Sequence, residues 1–113
     1  MRYISFKDNC RFKNWTPALS EIIDALDFVM NNYDWIPQLV ITSINDSDHI
    51  HNSRHYTDEA LDVRSRNFPN IDKLRFVQIV EEKLGDKFTV LFEGEGTTNE
   101  HFHIQVTKGE TYP

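Results

Sequence analysis

The 113-residue chain has one cysteine, four glycines and no apolar run long enough to cross a membrane. Because Cys10 has no second cysteine to pair with, an intrachain disulfide is excluded and the fold must depend on its core. We assign Cys10 no role. The first residues lack the apolar segment of a secretion signal, so we expect a protein that is cytoplasmic as synthesised, with no membrane insertion.

The chain also lacks an excess of positive charge. Its net charge is -6 at pH 7, and its 12 Lys and Arg residues are scattered along the sequence. Nucleic-acid binding requires clustered basic residues, so we predict no nucleic-acid partner. A hydrophobic fraction of 39% and a charged fraction of 27% are typical of a globular protein. The length predicts a single domain, residues 1–113, which we expect to be a monomer.

Two helices are predicted from capping residues and apolar spacing. Thr16 as N-cap and Pro17 at the first helical position begin a helix that continues to about Asn31. A second helix begins at Asn70 and stops at Gly85. The apolar spacing of this second helix predicts four inward-facing residues: Leu74, Val77, Val80 and Leu84.

Four strands are predicted, at residues 38–42, 60–65, 87–92 and 101–107, with a polar loop over residues 44–54. Together with the two helices, this order predicts an α+β domain with a mostly antiparallel sheet on which the helices pack.

Two of these strands carry candidate metal ligands on their polar faces. Asp62 alternates with apolar residues in one strand, and His103 does so in the last. If the two strands are neighbours, both side chains point into one cleft, and His55 can reach it from the preceding loop. Two histidines and one aspartate leave a fourth metal position for water, as in catalytic zinc sites.

The spacing of these residues resembles the zinc D-Ala-D-Ala carboxypeptidase family, which includes D-Ala-D-Ala dipeptidases and phage L-Ala-D-Glu endopeptidases. The family pattern S-x-H-x-x-G-x-A-x-D is matched by Ser53, His55, Ala60 and Asp62, with Asp58 where the family usually has Gly. A later E-x-x-H or H-x-H pattern is matched by Glu100 with His103 and by His101 with His103.

The resemblance covers about residues 38–107 and implies the hedgehog/DD-peptidase fold with one Zn²⁺ ion bound by His55, Asp62 and His103. It implies a zinc metallopeptidase that cuts the peptidoglycan stem peptide as a carboxypeptidase or an endopeptidase. By analogy with family members, the small size suits a phage endolysin that a holin releases to the cell wall.

The general base is implied by the resemblance to be Glu100. A regular strand would place Glu100 and His103 on opposite faces, so His101 stays open as the alternative. Glu93 and Glu95 are interpreted as mostly structural, although either could be the base instead.

Substrate contacts are expected from Ser53, which could hydrogen-bond the substrate or orient a metal ligand, and from Arg54, which could neutralise an oxyanion. The arginine with which many family members bind the substrate carboxylate has no match in residues 44–46. Arg54, Arg64 and Arg66 are the candidates to replace it.

Three other interpretations stay open. The chain could be a catalytically idle zinc-binding or virion structural module of the same fold. It could be a metal-free domain whose His and Asp residues are incidental. It could also be a metal-dependent hydrolase of an amide outside the cell wall.

Overall fold

The computed structural model describes residues 2–8, 10, 15–45 and 59–107, which form an α+β fold with a mixed five-stranded sheet and two helices. In chain order the elements are β1 (Ser5–Phe6), α1 (Pro17–Asn32), β2 (Val40–Asn45), β3 (Ala60–Arg64), α2 (Asn70–Leu84), β4 (Phe88–Glu93) and β5 (His101–Val106). Among these residues, neither helix has the length and apolar character needed to cross a membrane. The predicted α+β class and both predicted helices are confirmed.

The sheet has the strand order β1-β2-β3-β5-β4. Strand β1 runs parallel to β2, and the other three pairings are antiparallel. The two-residue strand β1 was not predicted, because so short a segment has no periodicity. The predicted loop start at residue 44 is wrong: β2 continues to Asn45, because Ile44 and Asn45 pair with Leu61 and Ala60 of β3. The rest of that loop lies outside the described residues.

Helix α1 begins where its capping residues predict. The Thr16 side chain accepts a hydrogen bond from the Leu19 backbone N–H at 3.2 Å, and Pro17 occupies the first turn. The helix buries one apolar face against the core of the protein: Leu19, Ile22, Leu26, Val29 and Met30.

Three of the four residues of helix α2 predicted to face inward do so: Val80 is buried, and Val77 and Leu84 are partly buried against the core. Leu74, predicted to face the core, is 64% exposed, whereas Phe76 is fully buried and packs on Phe102 with ring centroids 4.7 Å apart. Because Lys73, Phe76 and Val80 share a face at spacings of three and four residues, Leu74 must point elsewhere. The same buried face carries Lys73 inward, close to the start of β5.

Strand β5 has the predicted alternation. Phe102, Ile104 and Val106 are buried in the core, and His101 and His103 lie on the opposite face. Strand β5 is hydrogen-bonded to both β3 and β4, so its polar face has a neighbouring strand on each side.

Candidate metal centre

The register of three strands brings four polar side chains together. Asp62 of β3 is directly opposite His103 of β5, and Glu93 of β4 is directly opposite His101. Directly paired residues in neighbouring strands project on the same side of a sheet. Asp62 and His103 therefore project from neighbouring strands on the same face of the sheet, as predicted.

His103 has an oxygen atom near each of its ring nitrogens. Its Nδ1 lies 2.7 Å from Asp62 Oδ1, and its Nε2 lies 2.8 Å from Gln105 Oε1. The hydrogen bond to Asp62 is the main reason that the pKa of His103 is raised above its ordinary value. Since a metal ligand must be a deprotonated nitrogen, a metal ion and a proton compete for Nδ1.

His101 has a fixed donor and a fixed acceptor side. Its Nδ1 donates to the backbone carbonyl of Asn99 at 2.6 Å, because a carbonyl oxygen can only accept. A neutral His101 ring then directs the lone pair of Nε2 towards Glu93 Oε1 at 3.1 Å and Asp62 Oδ1 at 3.9 Å. A proton or a metal cation bound to Nε2 removes the repulsion between this lone pair and the two carboxylates.

Asp62, His101 and His103 could hold a metal ion. One ligand atom from each of these part-buried residues lies within 4.8 Å of the other two. Ligand atoms about 2.0–2.2 Å from a tetrahedral zinc ion are about 3.4 Å apart, a spacing close to that of these atoms. Two imidazole nitrogens and one carboxylate oxygen are a donor set that suits zinc.

Glu100 lies just before β5 and has partners on both carboxylate oxygens. Its Oε1 accepts from Ser65 Oγ at 2.6 Å and from Lys73 Nζ at 2.7 Å, and its Oε2 accepts from the Gly96 backbone N–H at 3.0 Å. These contacts, led by the Gly96 hydrogen bond, lower the pKa of Glu100 to about 2. A general base that works near neutral pH needs a higher pKa, so this environment favours a structural role.

The low pKa of Glu100 makes metal-free protein sensitive to acid. Its folded-state pKa of about 2 lies below the ordinary 4.5, so its stabilising effect is complete above pH 4.5 and is lost as the pH falls towards 2. We expect the melting temperature of the wild type to fall more between pH 6 and pH 3 than that of Glu100→Gln. Circular dichroism melts measure both, with Glu95→Gln as the matched control. Equal falls for wild type and Glu100→Gln would contradict the assignment.

An open cleft of about 450 Å³ adjoins the metal-ligand cluster, and Asp62 and His101 line it. Arg64 and Arg66, two of the predicted candidates for substrate binding, also line this cleft, as does Lys7. The other predicted site residues, Ser53, Arg54 and His55, lie outside the described residues.

Two residues at this site have roles that their sequence context did not indicate. Lys73 is a charged helix residue, which normally predicts a solvent-exposed position, yet it is 7% exposed and bound to Glu100. Glu93 was interpreted as mostly structural, although the structure places it beside His101. Its position at the end of a strand, just before the turn that leads into β5, was the available signal.

Comparison with protein-family models, with curated proteins and with solved structures finds no match for this chain. The interpretation of the site therefore depends on its own chemistry and on the motif spacing in the sequence.

Proposed function

We propose that the protein is a zinc-dependent hydrolase of the peptidoglycan stem peptide, with a hedgehog/DD-peptidase-like fold. The observation that carries the proposal is the convergence of His103 Nδ1 and His101 Nε2 on Asp62 Oδ1, at 2.7 Å and 3.9 Å, beside an open cleft. The motif spacing of residues 53–62 and 100–103 supports the substrate class.

In this proposal the zinc ligands are His55, Asp62 and His103. His103 is within hydrogen-bond distance of Asp62, whereas His101 Nε2 is closer to Glu93 than to Asp62. His101 is therefore the cluster member that is best placed to remain outside the ligand set. A zinc ion bound here would polarise the scissile carbonyl and acidify a water molecule.

Glu93 and His101 are the proposed groups that move the proton. Glu93 is 46% exposed on its side chain, so it can exchange a proton with solvent, and its Oε1 contacts His101 Nε2. Glu100 is bound on both oxygens and has a pKa of about 2, which leaves it poorly suited to accept a proton. We expect Glu93 to take the proton and His101, its neighbour, to position it.

The zinc content of variants distinguishes His55 from His101 as the third zinc ligand. We expect His55→Ala to lose bound zinc, because it removes a ligand, and His101→Gln to keep about one zinc per chain while hydrolysis falls. Metal analysis of the purified, zinc-loaded variants measures this. Loss of zinc from His101→Gln with retention by His55→Ala would instead give the ligand set Asp62, His101 and His103.

The proposed base is tested by Glu93→Gln, with Glu95→Gln as the matched control two residues away. Loss of a general base typically lowers the rate by about 10²–10⁴-fold, and we expect a fall in that range for Glu93→Gln with zinc still bound. The assay is release of free amines from purified peptidoglycan.

Three outcomes of this assay would count against the proposal. Equal activity of Glu93→Gln and Glu95→Gln would exclude Glu93 as the base. Zinc-loaded, folded wild type that releases no amines from several wall types would exclude the hydrolase. Wild type that binds zinc but releases no amines would favour the catalytically idle zinc-binding module. Amine release by metal-free protein would exclude a role for zinc.

A further inference from the structure

The turn that joins β4 to β5, residues 94–100, ends beside His101. The backbone carbonyl oxygen of Asn99 lies 2.6 Å from His101 Nδ1, so this ring nitrogen must carry a proton and donate the hydrogen bond. The other ring nitrogen, Nε2, then faces Glu93 Oε1 at 3.1 Å. The orientation of His101 relative to Glu93 therefore depends on where the turn places the Asn99 carbonyl.

Hydrogen bonds within the turn hold the Asn99 carbonyl in place. The Thr97 hydroxyl accepts from the Asn99 backbone N–H at 3.1 Å and donates to the Gly94 carbonyl at 2.6 Å. The Glu100 N–H, which belongs to the same peptide group as the Asn99 carbonyl, donates to the Thr97 carbonyl at 3.2 Å. The Glu100 side chain is in turn bound to Lys73 of α2 at 2.7 Å. The peptide group that contacts His101 is thus fixed by contacts other than the one with His101.

Gly94 leaves the space that this carbonyl occupies. A Cβ atom at Gly94 would lie 2.7 Å from the Asn99 carbonyl oxygen, closer than a Cβ atom can approach an oxygen without displacing it. Gly96 has a similar left-handed backbone, with φ of 79° against 68° at Gly94. At Gly96, no described residue apart from its chain neighbours has an atom within 4 Å of the Cβ position. The close approach to Asn99 is therefore particular to Gly94.

We infer that Gly94 and Asn99 are positioning residues for His101. The turn holds the Asn99 carbonyl against Nδ1, and this contact directs Nε2 towards Glu93. Hydrogen bonds to the second ring nitrogen are a general means by which proteins fix the orientation of a histidine. The inference rests on the proposed function in one respect, since its catalytic consequence requires Glu93 to be the base.

The test compares Gly94→Ala with Gly96→Ala, because both place a Cβ atom at a left-handed backbone position and only the first displaces Asn99. NMR of zinc-free protein with isotope-labelled histidine rings detects the proton on His101 Nδ1, and His101→Gln identifies its signal. We expect wild type and Gly96→Ala to share this signal. Gly94→Ala should lose it, or carry the ring proton on Nε2, where Glu93 accepts it.

Two results of the NMR comparison would overturn the inference. One is a wild-type His101 with no proton on Nδ1. The other is the same His101 signal in Gly94→Ala and Gly96→Ala, which would show that the close approach to Asn99 does not control the ring.

A second pair of variants provides the test if Gly94→Ala does not fold. Thr97→Val removes the hydroxyl that links Asn99 to Gly94, whereas Thr97→Ser keeps it. We expect the His101 Nδ1 signal to weaken in Thr97→Val and to be restored in Thr97→Ser. The same signal in both variants would overturn the inference.

Hydrolysis separates the positioning role from the function on which it rests. With one zinc bound, we expect amine release by Gly94→Ala to fall by about 10-fold to 10²-fold, and Gly96→Ala to stay close to wild type. Loss of the Nδ1 signal with full activity would overturn the catalytic consequence. The expected NMR result with no amine release by wild type would overturn the hydrolase and keep Gly94 and Asn99 as positioning residues.

Discussion

Replacement of Asp62 by asparagine is expected to abolish both zinc binding and hydrolysis. Asp62 Oδ1 is the atom on which the two imidazole rings converge, 2.7 Å from His103 Nδ1 and 3.9 Å from His101 Nε2. The amide has almost the same shape as the carboxylate but is a much weaker zinc ligand. The folded structure should therefore persist while the metal site is lost.

The expected loss of activity is large. A bound metal ion supplies several kcal/mol of transition-state stabilisation, and about 4 kcal/mol corresponds to about 10³-fold in rate. We expect a fall of at least that size for Asp62→Asn, measured by amine release from peptidoglycan. Asp24→Asn, at an exposed position of α1, is the matched control. Full activity of Asp62→Asn at one zinc per chain would contradict the account.

Asp62→Asn is also expected to change the pKa of His103 in metal-free protein. The hydrogen bond from His103 to Asp62 is the main cause of the raised pKa of His103, and Asp62→Asn removes the negative charge from it. We therefore expect the pKa of His103 to fall, as measured by NMR titration of its ring protons. An unchanged pKa would show that the ring does not contact Asp62 in solution.

Replacement of Lys73 by methionine is expected to lower the free energy of unfolding by about 3 kcal/mol. Lys73 and Glu100 are 8% and 12% exposed on their side chains, and their charged atoms are 2.7 Å apart. Removing one partner of a buried ion pair leaves the other charge without compensation, which costs more than the pair itself contributes. Urea unfolding of metal-free protein measures the loss.

Two further variants separate the loss of the Lys73–Glu100 ion pair from the loss of side-chain packing. Lys87→Met, at an exposed position before β4, should change the stability by less than about 0.5 kcal/mol. Adding Glu100→Gln to Lys73→Met should recover part of the lost stability, because the unpaired carboxylate is removed. No recovery, or equal effects of the two lysine substitutions, would show that the ion pair does not stabilise the fold.

The sequence predicted the part of the site that depends on strand periodicity. A period of two along residues 101–107 separates the buried Phe102 and Ile104 from His103, and the structure has this alternation. The motif spacing placed Asp62 and His103 in one site, and the strand register puts them directly opposite each other. Alternation is a local property of each strand and can be read from the sequence, whereas the meeting of Asp62 and His103, 41 residues apart, was expected from the motif resemblance.

The parts that were not predicted depend on contacts between distant elements. Leu74 was assigned to the core from the apolar spacing of α2, but it is exposed, whereas Phe76, which that spacing left out, packs on Phe102 of β5. Lys73 is buried only because Glu100 lies opposite it, 27 residues later. Similarly, the contact of Glu93 with His101 depends on the register between β4 and β5, which neither strand specifies alone.

The most direct test of the proposed function is a zinc titration of metal-free protein, with amine release from purified peptidoglycan measured at each step. The account predicts that hydrolysis rises in proportion to bound zinc and reaches its maximum at about one ion per chain. Activity that is independent of zinc, or one bound zinc with no amine release from any cell wall, would contradict it.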